Sequence, residues 1–157
     1  GYPMIVINKG KIGDTTSDAL SRLNEVLGEN PDYVTIFFGN DLSHGAISKE
    51  VYLKNIQAMV EMIGKDKVIL IAPAYVDPKL HNVDRKGEDI HAYGKVLMDY
   101  AKENDISHID MAYRMTVYPA AREFLQKDGL HFSKEGNELF ASLIAKHVKL
   151  LEMAKEV

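Results

Sequence analysis

The run Val68-Ile69-Leu70-Ile71-Ala72, followed directly by Pro73, decides the fold class of this chain. Its apolar residues do not alternate with polar ones, which is typical of a strand buried on both faces of a parallel sheet. Three other short apolar runs share this character and end at or just before Gly, Asn or Asp. We therefore predict four strands, at residues 4–8, 33–38, 68–72 and 107–110.

Between these runs, apolar residues recur at helical spacing and mark the buried faces of helices. Three such faces are Ala19, Leu20, Leu23, Val26 and Leu27; Tyr52, Ile56, Met59, Val60 and Ile63; and Ile90, Tyr93, Val96, Leu97 and Tyr100. A last helix, with Ser133 as its N-cap, carries Leu139, Phe140, Leu143, Ile144, Val148 and Leu151. Because strands and helices alternate, we predict an α/β fold: a single domain, 1–157, built as a three-layer α/β/α sandwich around a parallel sheet.

The composition narrows the classes of function. Apolar residues make up 46% of the 157 residues, charged residues make up 27%, and the net charge is -4 without a basic stripe. A nucleic-acid partner is therefore not expected, and a small neutral or apolar substrate fits better. The absence of cysteine excludes disulfides and thiolate catalysis. No run is long enough for a membrane span, so a cytoplasmic location is the default expectation.

Three polar loops should meet at the carboxyl edge of the sheet, where open α/β sheets bind ligands. They are Gly10-Lys11-Ile12-Gly13-Asp14-Thr15-Thr16, Phe38-Gly39-Asn40-Asp41 and Asp128-Gly129-Leu130-His131-Phe132-Ser133. Gly13 either lets an oxygen approach the backbone N–H groups or only makes the turn before a helix capped by Asp14 or Thr15. Asn40 either donates its amide to an oxyanion or closes an Asx turn. Asp41 is expected to hold that loop.

His131 is the strongest catalytic candidate. Histidine accepts a proton near neutral pH, and a carboxylate three residues earlier, Asp128, could fix its tautomer. The other five histidines lie in loops or on helix surfaces, and we interpret them as non-catalytic. None has the spacing of a two-histidine metal site, so neither a metal nor another cofactor is predicted. A phosphate-binding role is disfavoured because the Walker pattern and the dinucleotide fingerprint are both missing.

Taken together and in this order, the three loops resemble the second, third and fifth blocks of the SGNH, or GDSL-type, hydrolase superfamily. The relatives suggested are small bacterial lipases and acylhydrolases of the thioesterase I and lysophospholipase L1 type. The resemblance implies a flavodoxin-like fold with a five-stranded sheet. It also implies that the Gly13 N–H and the Asn40 side chain are oxyanion donors, that His131 is the base, and that Asp128 is its orienting acid.

The sequence departs from the family pattern at two places. The family's first block, a central strand ending in Gly-Asp-Ser with the nucleophilic serine, does not occur in the chain, so we expect it upstream of Gly1. The third block usually reads Gly-x-Asn-Asp, and Phe38 occupies the first Gly position here. Of the serines within the chain, only Ser43 lies on the expected edge. A sheet without its central strand could exchange segments between chains, which keeps a homo-oligomer open.

Two functions follow from these observations. The first is a serine esterase or lipase-type acylhydrolase acting on a small-molecule ester. Tyr75, Val76, Met115, Val117 and Tyr118 are then positional candidates for the lining of its substrate site, next to Asp41. The second is a catalytically inactive member of the fold that binds a small ligand or an acylated carbohydrate.

Overall fold

A computed structural model describes residues 3–157, in which three parallel strands form the centre of the fold. They are β1 (Val34–Phe37), β2 (Val68–Ile71) and β3 (Ser107–Ile109), in the order β1-β2-β3. β1 pairs with β2 from Val34 opposite Val68, and β2 pairs with β3 from Ile69 opposite Ser107. The parallel sheet and three of the four predicted strands are therefore confirmed.

The central strand, β2, shows why both faces of the sheet are covered. All four of its residues are buried. Successive side chains point to opposite faces of a strand, and here Val68 and Leu70 belong to one apolar cluster while Ile69 and Ile71 belong to the other. The uninterrupted apolar run in the sequence is thus the signature of a middle layer.

Seven α-helices of the described chain flank or connect the strands. They are α1 (Thr16–Ser21), α2 (Leu23–Leu27), α3 (Lys49–Ile63), α4 (Pro78–His81), α5 (Gly87–Glu103), α6 (Met111–Thr116) and α7 (Lys134–Lys155). Residues of α1, α2, α3 and α5 pack into the cluster with Val68 and Leu70. Residues of α6 and α7 pack into the cluster with Ile69 and Ile71. This arrangement confirms the predicted three-layer α/β/α sandwich.

Serine and threonine hydroxyls fix where several helices begin. The Ser48 side chain accepts the Val51 N–H at the start of α3, and the Ser133 side chain accepts the Gly136 N–H at the start of α7. Thr15 caps α1 and forms a reciprocal capping box with Asp18. Ser133 was predicted as an N-cap, and Thr15 was one of two predicted alternatives.

Two local predictions are wrong. Residues 4–8 form no strand: Ile5 is 95% exposed and Val6 is 86% exposed. A strand exists only when a neighbour binds its backbone N–H and C=O groups, and no described strand pairs with this run. The first predicted helix is also divided at Arg22. The Arg22 guanidinium there binds the Asp14 carboxylate (2.6 Å) and the Lys9 carbonyl (2.7 Å).

Candidate active site

The loop after Leu125 brings Asp128 and His131 into direct contact. The His131 Nδ1 lies 2.5 Å from the Asp128 Oδ2, and both side chains are exposed. The other carboxylate oxygen accepts the backbone N–H groups of Leu130 (2.9 Å) and His131 (3.1 Å). The hydrogen bond from His131, followed by that from Leu130, lowers the pKa of Asp128 to about 2. Asp128 is therefore ionised at neutral pH and holds the ring so that Nε2 is the nitrogen left to accept a proton.

Backbone contacts fix this loop in place. Gly129 has a φ of +73°, and a Cβ added to it would lie 2.8 Å from the Asp77 Cβ and 2.8 Å from the Leu80 Cδ1. The Gly129 carbonyl accepts the Asp77 N–H (2.9 Å), and the His131 carbonyl accepts the Gln126 N–H (2.8 Å). Glycine at position 129 is thus required both by the left-handed backbone and by the close approach of α4.

The first turn of α7 is pressed equally closely against this loop. The Ser133 N–H donates to the Phe124 carbonyl (2.9 Å), and the Ser133 hydroxyl donates to the Glu123 carbonyl (2.6 Å). A Cβ added to Gly136 would lie 2.1 Å from the Phe124 carbonyl oxygen, so no side chain fits there. His131 is therefore carried by a loop whose two ends are joined.

The Asp41 carboxylate is completely buried and ties the second loop to the start of α1. It accepts the Thr16 N–H (2.8 Å) and the Thr16 hydroxyl (2.5 Å), and the Asn55 amide donates to that same hydroxyl (3.0 Å). Burial raises the pKa of Asp41, and the hydrogen bonds from Thr16 partly offset that rise. Asp41 thus supports the loop and presents no surface to a substrate.

Asn40 follows β1 and reaches the loop that contains Gly13. Its Nδ2 donates to the Asp14 carbonyl (3.3 Å), while its Oδ1 accepts a hydrogen bond from the Arg85 Nη2 (2.7 Å). Gly13 is exposed and has a φ of +82°, and nothing lies within 4 Å of a Cβ added to it. The structure thus brings Asn40 beside the Gly13–Asp14 turn.

A chain of polar contacts connects the two loops through the segment that follows β2. The His81 Nε2 lies 2.6 Å from the Asp128 carbonyl oxygen, which fits a donated hydrogen bond, and the His81 Nδ1 lies 3.6 Å from the Asp84 Oδ2. Asp84 also lies 3.5 Å from the Arg85 Nε, and Arg85 donates to Asn40. Neither His81 nor Arg85 was singled out from the sequence. The one available signal was their place in the loop after β2, which was expected at this edge.

The predicted substrate-lining residues differ in how much of their surface is exposed. Met115 is fully buried and Val76 is 4% exposed, so both are core residues with almost no surface to offer a substrate. Tyr75 is half-buried, whereas Val117 and Tyr118 are exposed. Whether these three residues contact a substrate stays a prediction.

The Ser43 hydroxyl does not contact a histidine. It donates to the Asp84 carboxylate, which also lies 3.5 Å from the His44 Nε2. A carboxylate does not take the place of an imidazole as the base of a serine nucleophile at neutral pH. The contacts of Ser43 therefore give it a structural role.

Residues 3–157 contain neither a cluster that could hold a metal ion nor a membrane-spanning helix. Those residues hold no group of three or more His, Cys, Asp or Glu side chains arranged to bind a metal ion. None of their helices is long and apolar enough to cross a membrane.

Several known lipases and esterases are similar to this chain in sequence and fold. A lipase/acylhydrolase from Enterococcus faecalis has 45% sequence identity and a TM-score of 0.84, over 87% of this chain and 71% of that one. A GDSL-like lipase from Bacteroides thetaiotaomicron has 27% identity and a TM-score of 0.73, over 90% and 73% of the two chains. An acetyl xylan esterase has 29% identity and a TM-score of 0.72, over 87% and 77%.

A curated relative, a GDSL esterase/lipase of Arabidopsis thaliana, is 28% identical over an alignment of 145 positions that covers 78% of this chain. The chain spans only 60% of that relative's length. The model of the GDSL-like lipase/acylhydrolase family matches residues 1–139. The resemblance that rested on three short loops is thereby confirmed, and the chain belongs to the GDSL-like lipase/acylhydrolase family.

Proposed function

We propose that this protein is a serine esterase that cleaves carboxylic esters through an acyl-enzyme. The observation that carries the proposal is the bond between His131 and an Asp128 carboxylate whose pKa is lowered to about 2. Such a pair holds the imidazole in one tautomer and stabilises the imidazolium that forms when it accepts a proton. The exposure of both side chains leaves His131 accessible to a nucleophile and a substrate.

In the proposed reaction, a serine of a Gly-Asp-Ser segment upstream of Gly1 attacks the ester carbonyl. His131 takes the serine proton through Nε2 and then delivers it to the leaving alcohol, which breaks the C–O bond and leaves an acyl-serine. Water, deprotonated by His131, attacks the acyl-serine; the bond to the serine oxygen breaks, that oxygen takes the proton back from His131, and the acid is released. The Gly13 N–H and the Asn40 Nδ2 donate to the oxyanion in both steps.

The proposed substrate is a small, neutral or apolar ester. The net charge of -4 gives no attraction for anionic substrates. Similar proteins include a lipase/acylhydrolase and an acetyl xylan esterase, which act on esters. Tyr75 and Val117 are proposed to line the acyl side of the site, because both keep accessible surface. A cytoplasmic location and self-association stay predictions.

The test is labelling of the full-length protein with a fluorophosphonate, followed by peptide mapping and an assay with p-nitrophenyl esters. We expect the label on a Gly-Asp-Ser serine and the loss of labelling in His131→Ala. A label on Ser43 would identify Ser43 as the nucleophile and would contradict the proposed Gly-Asp-Ser serine. A folded full-length protein without label or turnover would refute the esterase and favour an inactive member of the fold that binds a small ligand or an acylated carbohydrate.

A further inference from the structure

We propose that Arg85 is a positioning residue that sets the orientation of the Asn40 amide, and hence which of its atoms faces an oxyanion. The inference rests on the proposed function of Asn40 as an oxyanion donor. It depends on one bond, from the Arg85 Nη2 to the Asn40 Oδ1 at 2.7 Å.

The chemistry of the two side chains makes this bond selective. An asparagine amide has an oxygen that only accepts and a nitrogen that only donates, and rotation by 180° exchanges them with little change in shape. A guanidinium has five N–H donors and no acceptor. Arg85 can therefore bind only the Oδ1, and the Nδ2 must lie on the opposite side, towards the Asp14 carbonyl.

The contact with Arg85 is the stronger of the two that Asn40 makes. The bond from Asn40 to the Asp14 carbonyl is long, at 3.3 Å, and joins two neutral groups. The bond from Arg85 is shorter and carries a full charge, and charge-assisted hydrogen bonds are roughly twice as strong as neutral ones. Without Arg85, one weak bond would be left to prevent the amide from turning its oxygen towards the developing negative charge.

The structure holds the guanidinium against Asn40 on several sides. The Arg85 side chain is only 14% exposed and is balanced by Asp84. Its Nη1 lies 2.7 Å from where a Cβ of Gly39 would be, so the residue before Asn40 must lack a side chain for Arg85 to fit. Gly39 has a φ of -122°, which any residue adopts, so the space for Arg85 and not the backbone explains the glycine. Burial lowers the pKa of Arg85, and the negative charge of Asp84 opposes that change.

The first experiment is a double-mutant cycle of Arg85→Met and Asn40→Ala in the full-length protein, assayed with a p-nitrophenyl ester. We expect Arg85→Met to lower kcat by about 10-fold or more, up to the 10²- to 10³-fold typical of a lost oxyanion donor, with little change in KM. In the Asn40→Ala background the same change should have no further effect on kcat, because Arg85 acts through that side chain. Arg85→Lys, which retains a donor, should recover part of the loss.

Arg114→Met is the matched control, since Arg114 is exposed on α6 and the change removes the same charge. It should leave kcat unchanged. Equal and additive losses from Arg85→Met in both backgrounds would indicate general destabilisation and would overturn the proposal. So would an unchanged kcat in Arg85→Met. If that variant does not fold, Gly39→Ala tests the same contact, since the added Cβ displaces the guanidinium, and a normal kcat in it would overturn the proposal.

A measurement that does not need activity separates this inference from the proposed function. In the wild-type protein, the side-chain amide protons of Asn40 should show nuclear Overhauser effects to the Asp14 region. These signals should weaken in Arg85→Met and persist in Arg114→Met. If the full-length protein has no esterase activity, the proposed function fails, and the Arg85 contact is still judged by these signals. Unchanged signals in Arg85→Met would overturn the positioning role.

Discussion

The two halves of the candidate site are built in opposite ways. The proposed base and its acid are exposed, with His131 at 69% and Asp128 at 44% side-chain exposure. The loop with Asn40 is anchored inside the protein, where Asp41 is fully buried and the Arg85 side chain is 14% exposed. The imidazole of His131, proposed to exchange protons, is thus in contact with solvent. The amide of Asn40, proposed only to donate a hydrogen bond, is held in place by buried polar contacts. We expect substitutions in the first half to affect catalysis far more than stability, and those in the second half to affect stability strongly as well.

The largest effect should come from His131→Ala. Loss of a general base lowers kcat by about 10² to 10⁴-fold, whereas an exposed substitution changes the free energy of unfolding by no more than about 0.5 kcal/mol. Ester hydrolysis and urea unfolding of the full-length protein measure the two quantities. Retained turnover would remove His131 from the mechanism. A large loss of stability would contradict the division between the two halves.

Asn40→Ala should combine both kinds of effect. We expect kcat to fall by about 10² to 10³-fold because one oxyanion donor is lost. The free energy of unfolding should also fall, by about 1–3 kcal/mol, because a buried part of Arg85 loses its acceptor. The same two assays apply. A kcat close to that of the wild type would mean that Asn40 closes the turn and does not bind the oxyanion.

Asp41→Ala should act mainly on stability. It leaves the buried Thr16 N–H and hydroxyl without their carboxylate acceptor, and an unsatisfied buried group costs about 1–3 kcal/mol. The matched control is Asp99→Ala, which removes an exposed carboxylate paired with Lys95 and should cost at most about 1 kcal/mol. Equal losses in the two variants, measured by urea unfolding, would show that burial of Asp41 does not matter.

The smallest effect, and the one that contrasts the two halves most directly, is in the pH dependence of stability. The pKa of the buried Asp41 is raised by desolvation, so the folded state binds its proton more readily than the unfolded state. Relative to Asp41→Asn, the wild type should gain stability as pH falls through that raised pKa towards the ordinary value of about 3.9.

The pKa of Asp128 is lowered to about 2 by its bond to His131. Relative to Asp128→Asn, the wild type should therefore lose stability as pH falls from about 3.9 towards that value. Urea unfolding of each variant and the wild type at pH 3, 4 and 7 measures both trends. Trends of the same sign for the two carboxylates would contradict the contrast between a buried and an exposed half.

The sequence allowed the central layer of the fold and the contact between Asp128 and His131 to be predicted. Apolar runs and apolar residues at helical spacing mark the positions that are buried in the folded chain. These patterns therefore predicted β1, β2, β3 and the buried faces of the four principal helices. Asp128 and His131 lie three residues apart on one loop, so their contact is local. Arg85 could not be predicted, because its partner Asn40 is 45 residues away and only the folded chain brings them together. Residues 4–8 were mispredicted for a related reason, since strand propensity alone does not supply a neighbour.

The proposed site also depends on Gly136, which has no side chain to take part in the chemistry. A Cβ added to Gly136 would lie 2.1 Å from the Phe124 carbonyl oxygen. Any replacement must therefore push the first turn of α7 away from Phe124, which immediately precedes the loop that holds His131. In a genetic screen for inactive alleles, changes at this codon should therefore recur beside those in the acid and the base, although the encoded residue touches neither. A map of tolerated substitutions would then show an intolerant position five residues after the histidine, where a motif search finds only a glycine.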